Sequence, residues 1–145
     1  KTALTFSDPA MVQFFKDGLK EMIGDGIDLL FCNEEEAMLF ADVDNLEDAI
    51  AFMKTQAKTF AITLGSKGAI AFDGKTTHQI EANPVTALDS NGAGDMFAGA
   101  FMYAITHGHD FAAAGRLASA ASSKVVSQFG PRLEAEQHTP LKAVL

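Results

Sequence analysis

Short apolar runs and longer helical patterns alternate along the chain. Residues 2–6, 27–32 and 60–64 are apolar runs of strand length, whereas residues 9–23 and 46–56 carry apolar side chains at helical spacing. This alternation predicts an α/β fold in which helices cover both faces of a sheet. We expect the first of these strands, residues 2–6, to be buried.

Signals for helix starts and turns support the same organisation. Residues 7–9, Ser-Asp-Pro, predict a helix cap followed by proline in the first turn. Residues 73–74, Asp-Gly, lie between two short apolar runs and predict a β-hairpin. An alanine-rich helix is expected over residues 111–128, which Gly and Pro then terminate.

Composition and charge narrow the functional classes. With 145 residues, 48% hydrophobic and 21% charged, the chain is expected to form one globular domain. A net charge of -8 argues against a nucleic-acid partner. No apolar run reaches the roughly 20 residues of a membrane span, and the single cysteine, Cys32, favours the cytoplasm. A phosphate ligand would therefore depend on helix N-termini, glycine-rich backbone and magnesium.

The most informative segment is residues 89–95, Asp-Ser-Asn-Gly-Ala-Gly-Asp, which precede a long apolar helix. Gly92, Ala93 and Gly94 would let an anion approach backbone N–H groups at the positive end of the helix dipole. Asp95 would then be placed to take a proton from a hydroxyl while these groups stabilise a transferring phosphoryl group. Alternatively, Asp95 only complements the helix dipole, and spacing alone does not separate these hypotheses.

Two common phosphate motifs do not fit this segment. A dinucleotide fingerprint that starts at Gly92 would need glycine where Phe97 stands. A Walker loop from Gly94 to Gly99 would need lysine where Ala100 stands. The segment must therefore belong to another class of phosphate site.

The segment resembles the Asp-Thr-Thr-Gly-Ala-Gly-Asp signature of the ribokinase-like (pfkB) carbohydrate and nucleoside kinases. Ser90 and Asn91 replace the two threonines. The resemblance implies a three-layer ribokinase-like α/β fold, the use of ATP and Mg²⁺, and Asp95 as the general base. It also implies that the glycines and alanine between Asn91 and Asp95 form an anion hole, and that Asp89 helps to order a monovalent cation such as K⁺ in members that need one.

Asn33 and Glu36 match the Asn-x-x-Glu motif of the same family. The resemblance implies that they handle magnesium and the nucleotide phosphates, with Glu36 as a metal-site residue acting through bound water. Taken alone, however, asparagine followed three residues later by glutamate is typical of a structural capping box.

The segment that contains Thr63, Gly65, Lys67 and Gly68 resembles the family's nucleotide-binding loop after a strand. The two glycines would permit close approach, and the lysine would meet a phosphate. Without the other motifs, Gly-Ser-Lys-Gly is an ordinary turn.

Ser119 and Ser122 fall where the family lines its adenine pocket. The alternative for each serine is simple helix packing.

The resemblance implies that residues 1–145 form the C-terminal ATP-binding and catalytic part of the kinase domain, without the N-terminal substrate-binding part. The missing half is then an expected partner, since a divided sheet would expose an edge and an apolar face. The expected substrate is a nucleoside or a sugar. Residues 3–9 and 129–133 look more like adenosine kinases than ribokinase. A homodimer is compatible with the sequence, and the rival function is a non-catalytic nucleotide-binding or regulatory protein of the same fold.

Overall fold

The computed structural model describes the whole chain, residues 1–145. Its strands are β1 (Ala3–Thr5), β2 (Ile27–Asn33), β3 (Ala57–Thr63), β4 (Ala69–Phe72) and β5 (Thr77–Ile80). Its helices are α1 (Pro9–Ile23), α2 (Glu34–Ala41), α3 (Leu46–Gln56), α4 (Ala93–Thr106), α5 (Phe111–Val126) and α6 (Ala135–Leu141). The strands follow the order β1-β2-β3-β4-β5 in one sheet. The predicted α/β fold class is therefore confirmed.

The chain divides into two compact units. The first comprises residues 1–64 and 72–77, and the second comprises residues 65–71 and 78–145. The hairpin strands β4 and β5 each contribute residues to both units.

Three parallel strands form the framework of the first unit. β2 pairs with β1 on one side and with β3 on the other. The register places Ile27 opposite Ala57 and Asn33 opposite Thr63, so that β2 and β3 run together along their full length. The four residues from Leu29 to Cys32 are all buried. This burial explains why β2 is a continuous apolar run rather than an alternating one.

Aromatic side chains fill the core beside these strands. Phe40 of α2 is fully buried, with its ring centroid 4.7 Å from that of Phe6 and 5.9 Å from that of Phe52. α1 buries Val12, Leu19 and Ile23, which recur at helical spacing. The periodicity seen in the sequence is thus the periodicity of the buried face.

The second unit is built around α4 and α5, which pack against each other. α4 buries Phe97, Phe101 and Ala104, and the ring of Phe101 meets that of Phe111 edge-on with 5.1 Å between centroids. Most of the buried positions of α5 are alanine or glycine, and these small side chains let the two helices approach closely. None of the helices combines the length and apolar character that crossing a membrane requires.

Three details differ from the sequence-based expectations. The first strand was expected to be buried, and this prediction is wrong: Ala3 and Thr5 are exposed. They are exposed because β1 pairs with another strand on one side only. β3 begins at Ala57 instead of residue 60 because its first residue pairs with Ile27. The short helix α6 was not expected, because its residues are mostly exposed and include Pro140, so that no apolar period marks it.

The central role of Phe40 is testable by truncation. Phe40→Ala should lower the free energy of unfolding by about 3–5 kcal/mol, since it removes a fully buried ring and leaves a cavity. Phe14→Ala is the matched control, because the Phe14 side chain is 73% exposed. Urea unfolding of both variants checks the prediction, and equal losses of stability would contradict it.

Candidate functional site

Helix α4 begins directly after Gly92, a position that requires glycine. Gly92 is the N-cap and adopts φ 76° and ψ 0°, the left-handed region that favours glycine. A Cβ atom at this position would lie 2.4 Å from the carbonyl oxygen of Pro131. Gly92 is therefore required both by its backbone conformation and by close packing.

Helix α4 lacks the side-chain cap that four other helices have. In α1, α2, α3 and α5 the N-cap side chain accepts a hydrogen bond from the amide three residues later, through Asp8, Asn33, Asn45 and Asp110 respectively. Gly92 has no side chain for this purpose, and the amides of Gly94 and Asp95 donate no hydrogen bond. Two backbone donors at the positive end of the helix dipole are thus available for an anion.

Open space and a carboxylate adjoin these two donors. A Cβ atom at Gly94 would have no heavy atom within 4 Å. Asp95 lies in the first turn of α4, its side chain is exposed, and no hydrogen bond or ion pair holds its carboxylate. The geometry therefore combines an anion-binding backbone with an accessible proton acceptor.

Asp89 braces the loop that leads into α4. Its Oδ1 accepts a hydrogen bond from the Asn91 amide at 3.0 Å, and its Oδ2 accepts one from the Gly130 amide at 3.1 Å. The hydrogen bond from Asn91, followed by that from Gly130, lowers the pKa of Asp89. The carboxylate is thus ionised and engaged by backbone donors, and a cation would have to share it with them.

Ser119 and Ser122, the two serines of α5 that the family resemblance assigns to the adenine pocket, make different contacts. Ser122 donates a hydrogen bond from its hydroxyl to the carbonyl oxygen of Ala93, at 3.1 Å. Ser119 is buried, donates to the carbonyl oxygen of Glu81 at 2.9 Å and accepts from the Asn83 side chain at 3.0 Å. Because a hydroxyl has a single proton to donate, Ser119 has none left for an adenine ring.

In the first unit, Asn33 and Glu36 form a reciprocal capping box. Asn33 accepts a hydrogen bond from the Glu36 amide, and the Glu36 carboxylate accepts one from the Asn33 amide, both at 2.8 Å. Glu36 is only 4% exposed, and its burial raises the pKa of its carboxyl against the opposing effect of the Asn33 hydrogen bond. Thr63 lies opposite Asn33 in the β2–β3 register. The structure thus brings these three residues together at the carboxyl ends of two parallel strands.

The residues after β3 form a tight turn in the second unit. Gly65 and Lys67 lie in a 3₁₀ turn that the amide of Gly68 closes by donating to the Gly65 carbonyl at 3.2 Å. A Cβ atom at Gly68 would lie 2.0 Å from the carbonyl oxygen of Ile80, so this glycine is required by the packing of the hairpin. Gly65 and Lys67 are exposed. The exposure of these two residues contrasts with Gly68, which is buried and has a structural explanation.

No group of three or more His, Cys, Asp or Glu side chains forms a metal centre. Glu36 belongs to the first unit and Asp89 to the second. Sequence reasoning also missed the support that Pro131 gives to Gly92. Pro131 was predicted as part of a helix stop and of an adenosine kinase-like segment, but a contact across this sequence separation has no local signal.

The buried carboxyl of Glu36 gives a pH-dependent prediction. Glu36→Gln should keep an oxygen that accepts from the Asn33 amide but remove the charge. Because the pKa of Glu36 is raised in the folded state, its contribution to stability is complete below its ordinary pKa and is lost as pH rises through the folded value. The wild type should therefore lose stability relative to the variant as the pH rises above about 4.5, the ordinary pKa of a glutamate.

Urea unfolding across this pH range measures the effect. Glu35→Gln is the control, since Glu35 lies in the same turn but is exposed. A difference between wild type and Glu36→Gln that does not vary with pH would contradict the assignment.

Comparisons with known proteins identify the family to which the chain is similar. The pattern of the family described as pfkB family carbohydrate kinase matches residues 1–138. The ribokinase of Lactococcus lactis subsp. lactis is 35% identical over 126 residues, which cover 86% of this chain and 40% of that protein. The adenosine kinase of Saccharomyces cerevisiae is 28% identical over 147 residues, covering 92% of this chain and 43% of that protein.

The fold of the chain also resembles that of a solved kinase structure. The adenosine kinase from Sinorhizobium meliloti superposes with a TM-score of 0.93 at 26% identity, covering 100% of this chain and 45% of that chain. The chain thus spans less than half the length of these relatives. Since the family pattern covers nearly all of its residues, the chain belongs to the pfkB family of carbohydrate kinases.

Proposed function

We propose that this chain carries the ATP-binding and phosphoryl-transfer machinery of a kinase that phosphorylates a hydroxyl of a nucleoside or a sugar. The observation that supports this most strongly is the uncapped N-terminus of α4, with two amides that donate no hydrogen bond beside the exposed carboxylate of Asp95. Membership of a carbohydrate kinase family also supports the proposal, because a kinase needs a site for the transferring phosphoryl group.

In the proposed mechanism, the transferring phosphoryl group sits at the amides of Gly94 and Asp95. The Asp95 carboxylate would accept the proton of the substrate hydroxyl as the hydroxyl oxygen attacks the γ-phosphorus of ATP. The bond from this phosphorus to the bridging oxygen would break, with ADP as the leaving group. The two amides and the helix dipole stabilise the negative charge on the phosphoryl oxygens. Catalysis then arises from positioning and charge stabilisation, without a covalent enzyme intermediate.

The motifs predicted from the sequence supply the nucleotide-binding residues of this proposal. We assign the phosphates of ATP to the turn that contains Gly65 and Lys67, together with Thr63 at the end of β3. Mg²⁺, which would offset phosphate charge, prefers phosphate and water ligands with one or two carboxylates. The single carboxylate of Glu36 fits that preference. Asp89 would help to order a monovalent cation such as K⁺ beside the anion loop.

The substrate-binding part of the enzyme lies, in this proposal, in an N-terminal half outside these 145 residues. The chain matches only 40% of the length of the Lactococcus ribokinase. Phe14, Phe15 and Met22 expose large apolar surfaces on α1. We propose that this surface packs against the remaining half of the full-length protein, since isolated soluble proteins rarely leave such patches uncovered.

The choice between nucleoside and sugar is open to a direct assay. The relatives include proteins named ribokinase, cytidine kinase and adenosine kinase. ADP release by the full-length protein over a panel of nucleosides and sugars would identify the substrate. Release with no member of the panel would favour a nucleotide-binding protein without turnover and contradict the proposal.

The role of Asp95 is testable by removing its charge. Asp95→Asn should lower kcat by roughly 10²–10⁴-fold, the usual contribution of a general base. Glu47→Gln is the matched control, because Glu47 is an exposed acid in the first turn of α3. This substitution removes a negative charge that complements the dipole of α3, as Asp95→Asn does for α4. Steady-state kinetics with the best substrate of the panel decide the matter. A similar small effect in both variants would leave Asp95 with only a dipole role.

Gly94 tests whether the open space beside the amides receives the phosphate. Gly94→Ala should leave stability unchanged or slightly improved, since the new methyl group meets no protein atom and alanine favours helix. The same methyl group would obstruct a bound phosphate, so we expect kcat/KM for ATP to fall at least about tenfold, or ~1.4 kcal/mol.

Gly99→Ala is the control for this variant. Gly99 lies in the same helix, is exposed, and likewise has no heavy atom within 4 Å of an added Cβ. Thermal unfolding and ATP kinetics should separate the two variants in activity but not in stability. Normal ATP kinetics in Gly94→Ala would contradict a phosphate at this position.

A further inference from the structure

A single hydroxyl ties the first residue of α4 to the neighbouring helix. The side chain of Ser122 donates a hydrogen bond to the carbonyl oxygen of Ala93 at 3.1 Å, across 29 positions of the sequence. Ala93 is the first residue of α4. The bond therefore acts on the turn that presents the free amides.

Helix α5, which carries Ser122, is extensively buried. It buries eight residues along its length, namely Ala113, Ala114, Gly115, Leu117, Ala118, Ser119, Ala121 and Val125. Two of them lie close to Ser122 in the sequence: Ala121 directly precedes it and Val125 follows three residues later. Close-packed interiors resist displacement, so the Ser122 hydroxyl is held at a fixed place.

Ser122 differs from the N-cap side chains of the other helices because it donates its hydrogen bond. The caps of α1, α2, α3 and α5 use a side-chain acceptor, which engages the amide at the third position of each helix. A cap of that kind on α4 would engage the amide of Asp95, one of the two donors that an anion needs. Ser122 is a donor instead, and it restrains the same turn through a carbonyl oxygen. The Ser122 hydroxyl thus restrains the turn without engaging the amides of Gly94 and Asp95.

We infer that Ser122 is a positioning residue, which holds the first turn of α4 so that its free amides and the Asp95 carboxylate keep the orientation that phosphoryl transfer requires. This inference rests on the proposed function and replaces a role for Ser122 in adenine binding. It assigns to one α5 hydroxyl the orienting role that N-cap side chains have in the other helices.

The chain offers a matched control at the next residue. Ser123 is half-buried like Ser122, but its hydroxyl donates to the carbonyl oxygen of Asn83 at 3.0 Å and not to α4. Ser122→Ala and Ser123→Ala each remove one side-chain hydrogen bond to a backbone carbonyl and should lower the melting temperature similarly. Ser122→Thr keeps the hydroxyl and serves as the conservative variant.

Kinetics of the full-length protein distinguish positioning from mere stability. Ser122→Ala should lower kcat by roughly ten- to a hundredfold with a much smaller change in the KM for ATP, since displacement of a reacting group by about 1 Å has effects of this size. Ser122→Thr should restore most of kcat, and Ser123→Ala should stay within about twofold of wild type. Equal kcat values for Ser122→Ala and Ser123→Ala would overturn the inference.

Hydrogen exchange tests the same inference without reference to activity. The amide of Phe97 donates to the Ala93 carbonyl in a regular α-helix, so it reports on the first turn. Ser122→Ala should accelerate its exchange about tenfold relative to Ser123→Ala, and unchanged exchange would overturn the inference. A wild type that transfers no phosphate would sink the proposed function, whereas the exchange result would still decide whether Ser122 holds the turn.

Discussion

The start of helix α4 is built without the hydrogen bond that stabilises the start of most helices. Replacing a good N-cap side chain typically costs about 0.5–2 kcal/mol, and four other helices of this chain have such a side chain. At α4 the cap is Gly92, and the amides of Gly94 and Asp95 donate no hydrogen bond. Asp89, Pro131 and Ser122 support this exposed turn, and Asp95 belongs to it.

Supports from elsewhere in the second unit compensate for the missing cap. The loop before α4 is tied to Gly130 through Asp89, and Gly92 packs directly against Pro131. Ser122 holds the first carbonyl of the helix from outside. These contacts fix the backbone and leave its donors free, which is the preorganisation that stabilises charge in a transition state. The cost of an uncapped helix is thus offset by tertiary contacts, while the amides of Gly94 and Asp95 stay unpaired.

Local signals in the sequence predicted much of the fold and the position of the candidate site. The cap and proline before α1 and the apolar period of α3 gave both helices the right bounds. The signature around Gly92 predicts a site at the start of α4, where the structure has two amides without acceptors. What the sequence could not show are contacts between distant residues, such as the bond from Ser122 to Ala93. The exposure of β1 was missed for the same reason, because burial of a strand depends on which neighbours pair with it.

We propose that the first turn of α4 binds the transferring phosphate through backbone nitrogen atoms. The decisive experiment is a crystal structure of the full-length protein with MgADP and a planar phosphoryl analogue such as aluminium fluoride. We expect the analogue to lie within about 2.7–3.2 Å of the amide nitrogens of Gly94 and Asp95. An analogue bound away from this turn, with the two amides in contact only with water, would contradict it.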